Sequence, residues 1–486
     1  MRVLLINPPD ETEAMLGVGR RLIHRWEPLG LLYIAAVARD AGHDVAVIDA
    51  PAEGLDSEAV KARIRLAAPE VVGFSTLTCN GAPVWELGRW VRSELPGTPV
   101  VLGNLHASVY AEHYLRHGCC DVVVHGEGEF VFRSLLDRMS QGQSDFSSVQ
   151  AVSFLGADGA VIRTGDWSVI PDLAALPLPA RDLLNVQRYG MGRLNSQNYV
   201  CRKGERAGAL VTERGCRFRC RFCVIHHDRQ PRYSPAPRVL DELEMLERDR
   251  GLGYVFFHDP HFLGDRDRIL AICQGIVNRG LRIRWGCQAN VNLVDAELVR
   301  AMDRANCYEI AVGVESGVQR ILDKVEKRIT PERVRLAVET IRAESDICTV
   351  GLFILGLPGE TQQDFQETIR LSTSLDLDMA QFSILTPYPG SPLFEELAAH
   401  GELDTGVRSD GSVDTSVWKR YSSYIMFTDR PPVWVTPDLT ASQLRKMQKE
   451  ALRRFYLRPR QILRYARRIS PGDLYSSLRL ILEGLF

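Results

Sequence analysis

Residues 213–223 read Glu-Arg-Gly-Cys-Arg-Phe-Arg-Cys-Arg-Phe-Cys and follow the short apolar run Ala209-Leu210-Val211. This stretch places Cys216, Cys220 and Cys223 on one loop with the spacing C-x3-C-x2-C. Chance would produce that spacing about 0.006 times in a chain with 11 cysteines among 486 residues. The apolar run predicts a strand, so the three cysteines are expected just beyond the carboxyl end of a strand in an α/β domain.

Two kinds of metal centre fit three thiolates on one loop. A structural zinc ion normally takes four protein ligands, and His226 or His227 would supply the fourth. An iron–sulfur cluster needs only three thiolates when its fourth iron is left open for a substrate or cofactor. The loop also carries four arginines that would offset the charge of thiolates: Arg214, Arg217, Arg219 and Arg221. The residues favour the cluster and leave zinc as the alternative.

Upstream of residue 130, short β-branched runs alternate with longer amphipathic stretches. The five runs are residues 3–6, 45–48, 71–74, 100–102 and 122–124. This alternation is typical of a parallel sheet with crossover helices, the first of which is expected to open at Pro28. Its buried face is predicted to carry Leu29, Leu32, Tyr33 and Ala36. No G-x-G-x-x-G follows the first run, which argues against a nicotinamide site and leaves a generic flavodoxin-like module as one interpretation.

Composition indicates the compartment and excludes some partners. The 59 basic and 61 acidic residues nearly cancel, so no nucleic-acid partner is expected. The apolar run at the N-terminus is too short for a signal peptide, and no stretch is long and apolar enough to span a membrane. An odd number of cysteines without a secretory signal fits a reducing compartment, so we expect a cytoplasmic location.

The cysteine loop, with Phe222 directly before the third cysteine, resembles the signature of the radical SAM superfamily. The resemblance covers about residues 205–395 and continues through five further stretches: residues 256–260, 285–288, 312–317, 356–361 and 387–390. It implies a partial (β/α)6 barrel in which Cys216, Cys220 and Cys223 hold a 4Fe-4S cluster whose open iron binds S-adenosyl-L-methionine (SAM).

The same resemblance implies the SAM contacts. They are Phe222, Gln288, Glu315, Ser316, Leu355 and Gly356, with Asp259 as a candidate for the SAM amino group. Three of these residues have ordinary alternatives. Ser316 would serve as a helix cap, Glu315 as a solvent-facing acid, and Gln288 as a polar strand residue.

The first 140 residues are similar to the cobalamin-binding domain that precedes many radical SAM enzymes. The similarity rests on Asn7-Pro8-Pro9, Pro28-Leu29-Gly30-Leu31, Ala41-Gly42-His43-Asp44-Val45, Gly73-Phe74-Ser75, Gly103-Asn104-Leu105-His106-Ala107 and Gly126-Glu127-Gly128-Glu129. The implied cobalamin contacts are Ser75, Thr76, Leu77, Thr78, Gly103, Asn104, His106, Gly126 and Glu127. The family often has Gly-Gly at positions 103–104, and D-x-H-x-x-G is absent after the first strand, so no protein histidine is expected beneath cobalt.

We therefore expect four segments. They are a cobalamin-binding domain at 1–145, a proline-stiffened linker at 146–200, a radical SAM barrel at 201–400 and a mostly helical C-terminal segment at 401–486. Residues 441–470 contain ten lysines or arginines and only one acid, Glu450. Thr440 begins a capping box that predicts a helix there, with Leu444, Met447, Leu452 and Phe455 packed inward. Contact with an anionic substrate, an acidic partner or a membrane surface is the alternative.

The leading functional hypothesis is a cobalamin-dependent radical SAM methyltransferase acting on an unactivated carbon of a small molecule or natural-product precursor. It implies a 5'-deoxyadenosyl radical and an electron donor such as flavodoxin or ferredoxin. A radical cyclisation or rearrangement, in which cobalamin takes part without net methyl transfer, is the second enzymatic interpretation. A cobalamin or iron–sulfur sensor is the non-enzymatic one. The sequence identifies neither the substrate nor a residue with a direct role in the chemical step.

Overall fold

The computed structural model describes residues 1–10, 25–189, 205–421 and 430–468, with the backbone alone at 226–227 and 465–468. Contacts between Cα atoms divide these residues into two units. The first unit contains residues 1–10, 27–188 and 388–421, and the second contains 25–26, 189, 205–387 and 430–468.

A seven-stranded sheet forms the centre of the first unit. Its strands are β1 (Arg2–Asn7), β2 (Asp44–Asp49), β3 (Val71–Ser75), β4 (Val100–Gly103), β5 (Val122–Val124), β6 (Val152–Leu155) and β7 (Val161–Thr164). The order across the sheet is β2-β1-β3-β4-β5-β6-β7, and β1 to β5 are parallel. All five strands expected from the β-branched runs are confirmed.

In the described part of the first unit, seven helices follow these strands, and those between β1 and β5 form the crossover connections. They are α1 (Leu29–Asp40), α2 (Ala50–Glu53), α3 (Ser57–Ala67), α4 (Gly81–Glu94), α5 (Leu105–Val109), α6 (Ala111–Arg116) and α7 (Glu129–Ser140). Helix α1 begins directly after Pro28, as expected. Its four predicted core residues, Leu29, Leu32, Tyr33 and Ala36, are all buried.

A hairpin extends the sheet where the sequence predicts only a linker. Strand β6 pairs antiparallel with β5, and β7 pairs antiparallel with β6. Val152 and Phe154 are buried in the first unit, with 0% and 4% of their surface exposed. Residues 146–200 are therefore not a simple linker, because part of this stretch completes the N-terminal sheet.

In the described part of the second unit, six parallel strands form one sheet and two further strands form a separate pair. The strands of this unit are β8 (Ala207–Leu210), β9 (Glu213–Arg214), β10 (Arg232–Tyr233), β11 (Tyr254–Phe257), β12 (Arg284–Ala289), β13 (Cys307–Glu315), β14 (Cys348–Leu355) and β15 (Met379–Ile384). The order is β15-β14-β13-β12-β11-β8, while β9 and β10 form a separate antiparallel pair. Its helices are α8 (Ala236–Arg248), α9 (Arg266–Asn278), α10 (Ala296–Arg304), α11 (Gln319–Lys324), α12 (Pro331–Glu344) and α13 (Gln362–Ser374). The expected strand–helix repeat is confirmed.

The two faces of this sheet carry different side chains because successive residues of a strand point to opposite sides. Val255 and Phe257 of β11 belong to the large core that also contains the buried helix residues. Tyr254 and Phe256 lie on the other face and form a smaller cluster with Trp26 and Tyr308. The inner face of the barrel is thus distinct from the layer between strands and helices.

Three helices complete the described chain: α14 (Pro392–Ala399), α15 (Ala441–Tyr456) and α16 (Pro459–Arg468). Helix α14 lies in the segment 388–421, which packs with the first unit, whereas the sequence led us to place residues 388–400 in the barrel. Thr440 forms the predicted capping box with Gln443 at the start of α15. Helices α15 and α16 belong to the second unit.

Three arginines of α15 and α16 donate hydrogen bonds to residues of the barrel. Arg454 donates to Gln366 at 2.6 Å, and Arg464 and Arg460 donate to Asp376 at 2.6 and 3.0 Å. The inward residues expected for α15 are buried or partly buried in the core: Leu444, Met447, Leu452 and Phe455. The prediction of a helix with one packed face is confirmed.

Candidate active site

The cysteine loop is closed by its own backbone. The N–H of Cys216 donates to the carbonyl of Asp228 at 2.9 Å, and that of Cys223 donates to the carbonyl of Cys220 at 3.0 Å. Gly215 has φ of +84°, and a Cβ there would lie 2.5 Å from the carbonyl oxygen of Gln230. Only glycine suits this turn, with which the cysteine loop begins directly after β9.

Asp259 anchors the chain just before the loop. Its carboxylate accepts hydrogen bonds from the backbone N–H of Thr212 at 2.6 Å, from the Thr212 hydroxyl at 2.5 Å and from the N–H of Glu213 at 3.1 Å. Arg268 donates to the same hydroxyl at 2.6 Å. Burial raises the pKa of Asp259 to about 6. The structure thus gives Asp259 partners within the protein, which favours an anchoring role over the expected contact with SAM.

Lys327 and Glu315 form a buried ion pair that the sequence did not reveal. The Nζ atom of Lys327 donates to Oε1 of Glu315 at 2.6 Å, and the two side chains are 14% and 8% exposed. Burial lowers the pKa of Lys327, but the Glu315 carboxylate and the thiol of Cys220 outweigh this and raise it. Glu315 is therefore not the solvent-facing acid that the alternative interpretation required.

The backbone at the end of β13 is shaped for this pair. Glu315 has φ of +61°, and the pairing of β13 with β14 shifts register between Gly313 and Glu315. A Cβ on Gly313 would lie 2.6 Å from Oε1 of Glu315 and 2.7 Å from Nζ of Lys327. The glycine therefore provides the space in which the two charged groups meet.

Ser316 and Gly356 also lie at carboxyl ends of strands. The Ser316 hydroxyl accepts from the N–H of Val318 at 3.2 Å and lies 3.3 Å from Oγ1 of Thr368, so it already has partners close to the start of α11. Gly356 follows Leu355 at the end of β14 with φ of +81°, and its N–H donates to the Glu360 carboxylate. Both residues lie at the carboxyl ends of strands, where contacts with SAM are expected, and contact with SAM stays a prediction.

Phe222 and Gln288, two further residues expected to contact SAM, lie in the same unit. Phe222 is half-buried between Arg221 and Cys223, and Gln288 is half-buried next to the last residue of β12. Gln288 is offset by one residue from Cys287, which belongs to the outer core, and so lies on the inner face. Whether either residue contacts SAM also stays a prediction.

The three thiols would depend on a bound metal to become thiolates. Burial raises the pKa of Cys220 to about 11 and also raises the pKa values of Cys216 and Cys223, while the ammonium of Lys327 opposes the shift in all three. A bound metal would supply the further positive charge that holds these groups as thiolates. Among the described residues, no three His, Cys, Asp or Glu side chains converge as the ligands of a single metal ion. A cluster needs no such convergence, since each thiolate binds its own iron.

In the first unit, the loops after β3 and β4 are bonded to each other. The N–H of Thr76 donates to the carbonyl of Gly103 at 2.9 Å, and the Asn104 amide donates to the Ser75 hydroxyl at 3.2 Å. Leu77 is 44% exposed at the tip of its loop, whereas Thr76 and Thr78 are buried. Among the three loop residues 76–78, Leu77 is therefore best placed to contact a ligand beyond the sheet.

The loop after β4 leaves open space beside Gly103. A Cβ on Gly103 would meet no atom within 4 Å. Asn104 has φ of +78° and ψ of 171°, a backbone conformation that is otherwise almost confined to glycine. The glycine that the family often has here suits this conformation. In this chain Asn104 adopts it, and its side chain caps α5 by accepting from the N–H of Leu105 at 2.7 Å. The open side of Gly103 fits the approach of a corrin.

Three other expected cobalamin residues have contacts within the protein. A Cβ on Gly126 would lie 2.4 Å from the carbonyl oxygen of Ser168, and Glu127 accepts from the N–H of Ile170 at 2.6 Å. The His106 side chain is 1% exposed and lies among aromatic rings. These positions favour supporting roles for the three residues rather than direct contact.

A cavity of about 500 Å³ lies in the first unit, beside residues that follow β1, β2 and the loop after β3. It is lined by residues 9–10, 50–57, 82–86, Thr415 and Lys419, not every residue of each range included. None of the residues expected to bind cobalamin lines it.

Comparison with known families agrees with the two units. The chain matches the Radical SAM superfamily over residues 210–372 and the B12 binding domain over residues 16–136. It is 30% identical over 467 residues to an uncharacterized methyltransferase of Pyrococcus horikoshii, covering 96% of this chain and 94% of that protein. The chain belongs to the cobalamin-binding radical SAM enzymes. Membership of this family brings a 4Fe-4S cluster, SAM and cobalamin as cofactors.

Two further relatives extend the comparison of this cobalamin-binding radical SAM enzyme. The anaerobic magnesium-protoporphyrin IX monomethyl ester cyclase of Rubrivivax gelatinosus is 28% identical over 410 residues, which cover 83% of this chain and 71% of that protein. The solved structure of the radical SAM methyltransferase TsrM of Kitasatospora setae superposes with a TM-score of 0.70 at 19% identity, covering 97% of this chain and 89% of TsrM. This second likeness shows a shared fold. No helix among the residues that the structure describes is long and apolar enough to cross a membrane.

Proposed function

We propose that this enzyme transfers a methyl group from SAM to an unactivated carbon of a small molecule. The observation that carries the proposal is the fusion of a B12 binding domain to a radical SAM domain in one chain that aligns over 96% of its length with a methyltransferase. A carbon without an acidic proton cannot attack the SAM sulfonium, so its C–H bond must first be broken homolytically. The balance is one substrate, two SAM and two electrons to methylated substrate, 5'-deoxyadenosine, methionine and S-adenosylhomocysteine.

Each cofactor has a proposed set of residues. When bound, the reduced cluster and SAM supply a 5'-deoxyadenosyl radical, and cobalamin carries the methyl group. Cys216, Cys220 and Cys223 hold three irons and leave the fourth for SAM. The SAM contacts are proposed at Phe222, Gln288, Glu315, Ser316, Leu355 and Gly356. The cobalamin contacts are proposed at Ser75, Leu77, Gly103 and Asn104, with Thr76, Thr78, His106, Gly126 and Glu127 supporting them.

Lys327 has two proposed tasks in this arrangement. Its ammonium lowers the cost of placing thiolates and an anionic cluster in a buried site, since it acts on the pKa of all three thiols. Its hydrogen bond to Glu315 also fixes that carboxylate at the end of β13. A fixed carboxylate is suited to bind the hydroxyl or ammonium groups of SAM in one orientation.

The two electrons require a donor, and we propose a small reduced carrier such as flavodoxin or ferredoxin in the cytoplasm. The basic C-terminal helices are not needed as a membrane contact. Arg454, Arg460 and Arg464 bind residues of the barrel, which supports a role in holding these helices in place.

A radical cyclisation without methyl transfer is the second candidate. The observation in its favour is the similarity to the Rubrivivax cyclase, which covers 83% of this chain. The two reactions differ in one by-product. Methyl transfer leaves S-adenosylhomocysteine together with 5'-deoxyadenosine, whereas cyclisation leaves 5'-deoxyadenosine alone.

The test uses the anaerobic protein reconstituted with iron, sulfide and cobalamin, a chemical reductant and SAM carrying a deuterated methyl group. A small-molecule extract of the cells that make the protein serves as the source of substrate. We expect both by-products to accumulate together and one compound of the extract to gain the labelled methyl group. Formation of 5'-deoxyadenosine without S-adenosylhomocysteine or label would replace methyl transfer by cyclisation, and formation of neither would leave a sensor.

A further inference from the structure

The segment 388–421 ends in a tryptophan that is completely buried in the first unit. Trp418 is 0% exposed and contacts four aromatic rings. Its ring centroid lies 4.5 Å from that of His106, 5.0 Å from Tyr110, 5.8 Å from Tyr114 and 5.8 Å from Trp85. A residue far along the chain thus packs into the N-terminal sheet unit as one of its core residues.

Hydrogen bonds fix the orientation of the indole. Nε1 of Trp418 donates to the carbonyl of Thr405 at 3.0 Å, and the Tyr110 hydroxyl donates to the same oxygen at 3.1 Å. Gly390, from the same segment, lies so close to α5 that a Cβ there would be 2.9 Å from Cδ1 of Leu105. The segment and helices α5 and α6 therefore form one tightly packed block.

This block contacts the residues that flank the loops after β3 and β4. The turn Trp418–Arg420 packs against the turn Thr78–Asn80, which belongs to the loop after β3. His106, in contact with Trp418, is the second residue of α5, and α5 begins directly after Asn104 in the loop after β4. Trp418 is thus in contact with the supports of both loops.

His106 acts in this block as a neutral aromatic ring. Burial lowers its pKa to about 3, so it carries no charge at physiological pH. Among the described residues, neither ring nitrogen has a hydrogen-bond partner. The ring is edge-on to Trp418, with 82° between the planes, and a Cβ on Gly81 would lie 2.5 Å from Nε2 of His106. The His106 ring is therefore held by packing against other rings and not by a hydrogen bond of its own.

We propose that Trp418 is a positioning residue for cobalamin, acting through the loops that contain Leu77 and Gly103. This inference rests on the proposed function, which assigns those loops to the cobalamin site. A smaller side chain at position 418 leaves space beside His106 and behind the Thr78–Asn80 turn. Both loops then gain freedom that cobalamin binding must remove, so affinity for cobalamin falls.

The variant Trp418→Phe, in the full-length reconstituted protein, tests this. Its matched control is Trp285→Phe, because Trp285 is also 0% exposed and also donates its indole N–H to a carbonyl, that of Ala305 at 2.7 Å, but lies in the second unit. The dissociation constant for hydroxocobalamin is measured by anaerobic visible titration well below the melting temperature. We expect it to rise at least tenfold in W418F and less than twofold in W285F.

Two further readouts separate positioning from a general loss of structure. Iron content and reductant-dependent formation of 5'-deoxyadenosine should be unchanged in W418F, and the electron paramagnetic resonance (EPR) lines of its bound cob(II)alamin should broaden. If W418F folds poorly, Tyr110→Phe removes only the hydroxyl that binds Thr405 and should raise the dissociation constant about threefold. If folded W418F or Y110F binds hydroxocobalamin as tightly as the wild-type protein does, the inference about Trp418 is overturned and the proposed function is not affected. Failure of the wild-type protein to bind cobalamin would overturn the proposed function with it.

Discussion

The Nζ atom of Lys327 lies 2.6 Å from Oε1 of Glu315, and the two groups fill the space that a side chain on Gly313 would occupy. Twelve residues separate the partners in sequence. The pair brings a positive charge to the three thiols, and no neighbouring sequence motif contains that lysine. Variants of this ion pair, of Gly313 and of the three cysteines each test one feature of the site.

Replacing Lys327 alone should lower the free energy of unfolding much more than replacing both Lys327 and Glu315. Lys327→Gln leaves the Glu315 carboxylate buried without its cation, and we expect a loss of about 3 to 5 kcal/mol in the free energy of unfolding. The double variant Glu315→Gln, Lys327→Gln should lose less, because no uncompensated charge stays buried. Urea unfolding of the reconstituted protein measures both, with Arg408→Gln as the control, since its ion pair with Asp404 is exposed. Equal losses in the single and double variants would contradict the assignment.

A single methyl group should disturb the same site. In Gly313→Ala the new Cβ would lie 2.6 and 2.7 Å from the charged atoms of Glu315 and Lys327, so the ion pair must separate. We expect the rate of 5'-deoxyadenosine formation to fall at least tenfold. Gly30→Ala is the control, because a Cβ at Gly30 meets nothing within 4 Å. Unchanged SAM cleavage in G313A would mean that the pair is dispensable for this step.

The three cysteines should be the sole ligands of one cluster. Replacement of Cys216, Cys220 and Cys223 together by alanine should abolish both iron binding and formation of 5'-deoxyadenosine. Cys273→Ala is the matched control, since Cys273 is buried in the outer core of the same unit. Iron content and Mössbauer spectra after anaerobic reconstitution measure the result. A full cluster in the triple variant would refute the ligand assignment.

Stability should depend on pH through Glu360. Burial raises the pKa of this carboxyl from 4.5 to about 7. The folded protein therefore retains a proton that the unfolded chain has lost, so the stabilisation is complete below pH 4.5 and disappears as the pH rises to 7. We expect a loss on the order of 3 kcal/mol across this window from this group.

Glu360→Gln should remove that part of the pH dependence. The wild-type protein and the variant are compared by urea unfolding at several pH values between 5 and about 8, with the exposed Glu402→Gln as the control. The difference in free energy between wild type and E360Q should change in favour of E360Q as the pH rises. A difference that is constant with pH would show that Glu360 titrates normally.

Cobalt should have no histidine of this protein beneath it. His106 is enclosed by aromatic rings, and Nε2 of His125 lies 2.8 Å from the Ser153 hydroxyl within the sheet. Leu77 is the exposed side chain on the loop after β3 and has no ligating atom. The EPR spectrum of bound cob(II)alamin should therefore show no superhyperfine splitting from a protein nitrogen. Splitting that disappears in His106→Phe or His125→Phe would reverse this prediction.

Local patterns were sufficient to predict the five parallel strands of the N-terminal sheet. Each β-branched run of the first 130 residues became a strand, because a buried parallel strand needs apolar side chains on both faces. The cysteine loop was predictable for a similar reason, since its spacing is fixed by the metal centre. Strands β6 and β7 were missed because their sequences, Val-Ser-Phe-Leu and Val-Ile-Arg-Thr, are less uniformly β-branched and the prolines that follow favoured a linker.

The missed parts of the site depend on contacts between distant residues. Glu315 meets Lys327 at the end of β13, where the strand has a register shift and a positive φ that no residue pattern predicts. Trp418 lies more than 300 residues from His106, and only the folded chain shows that they touch. The roles expected for Asp259 and His106 came from their positions in motifs, whereas the direction of each side chain depends on partners outside those motifs.

The discontinuous make-up of the first unit affects how such enzymes can exchange parts. Residues 388–421 are encoded after the barrel but pack with residues 27–188. A recombination event that transplants only the N-terminal coding region would separate Trp418 from the rings around it and expose their apolar surface. Successful chimaeras should therefore inherit both stretches from one parent. Such genes are expected to diversify by substitutions within these two stretches more readily than by exchange of the N-terminal stretch alone.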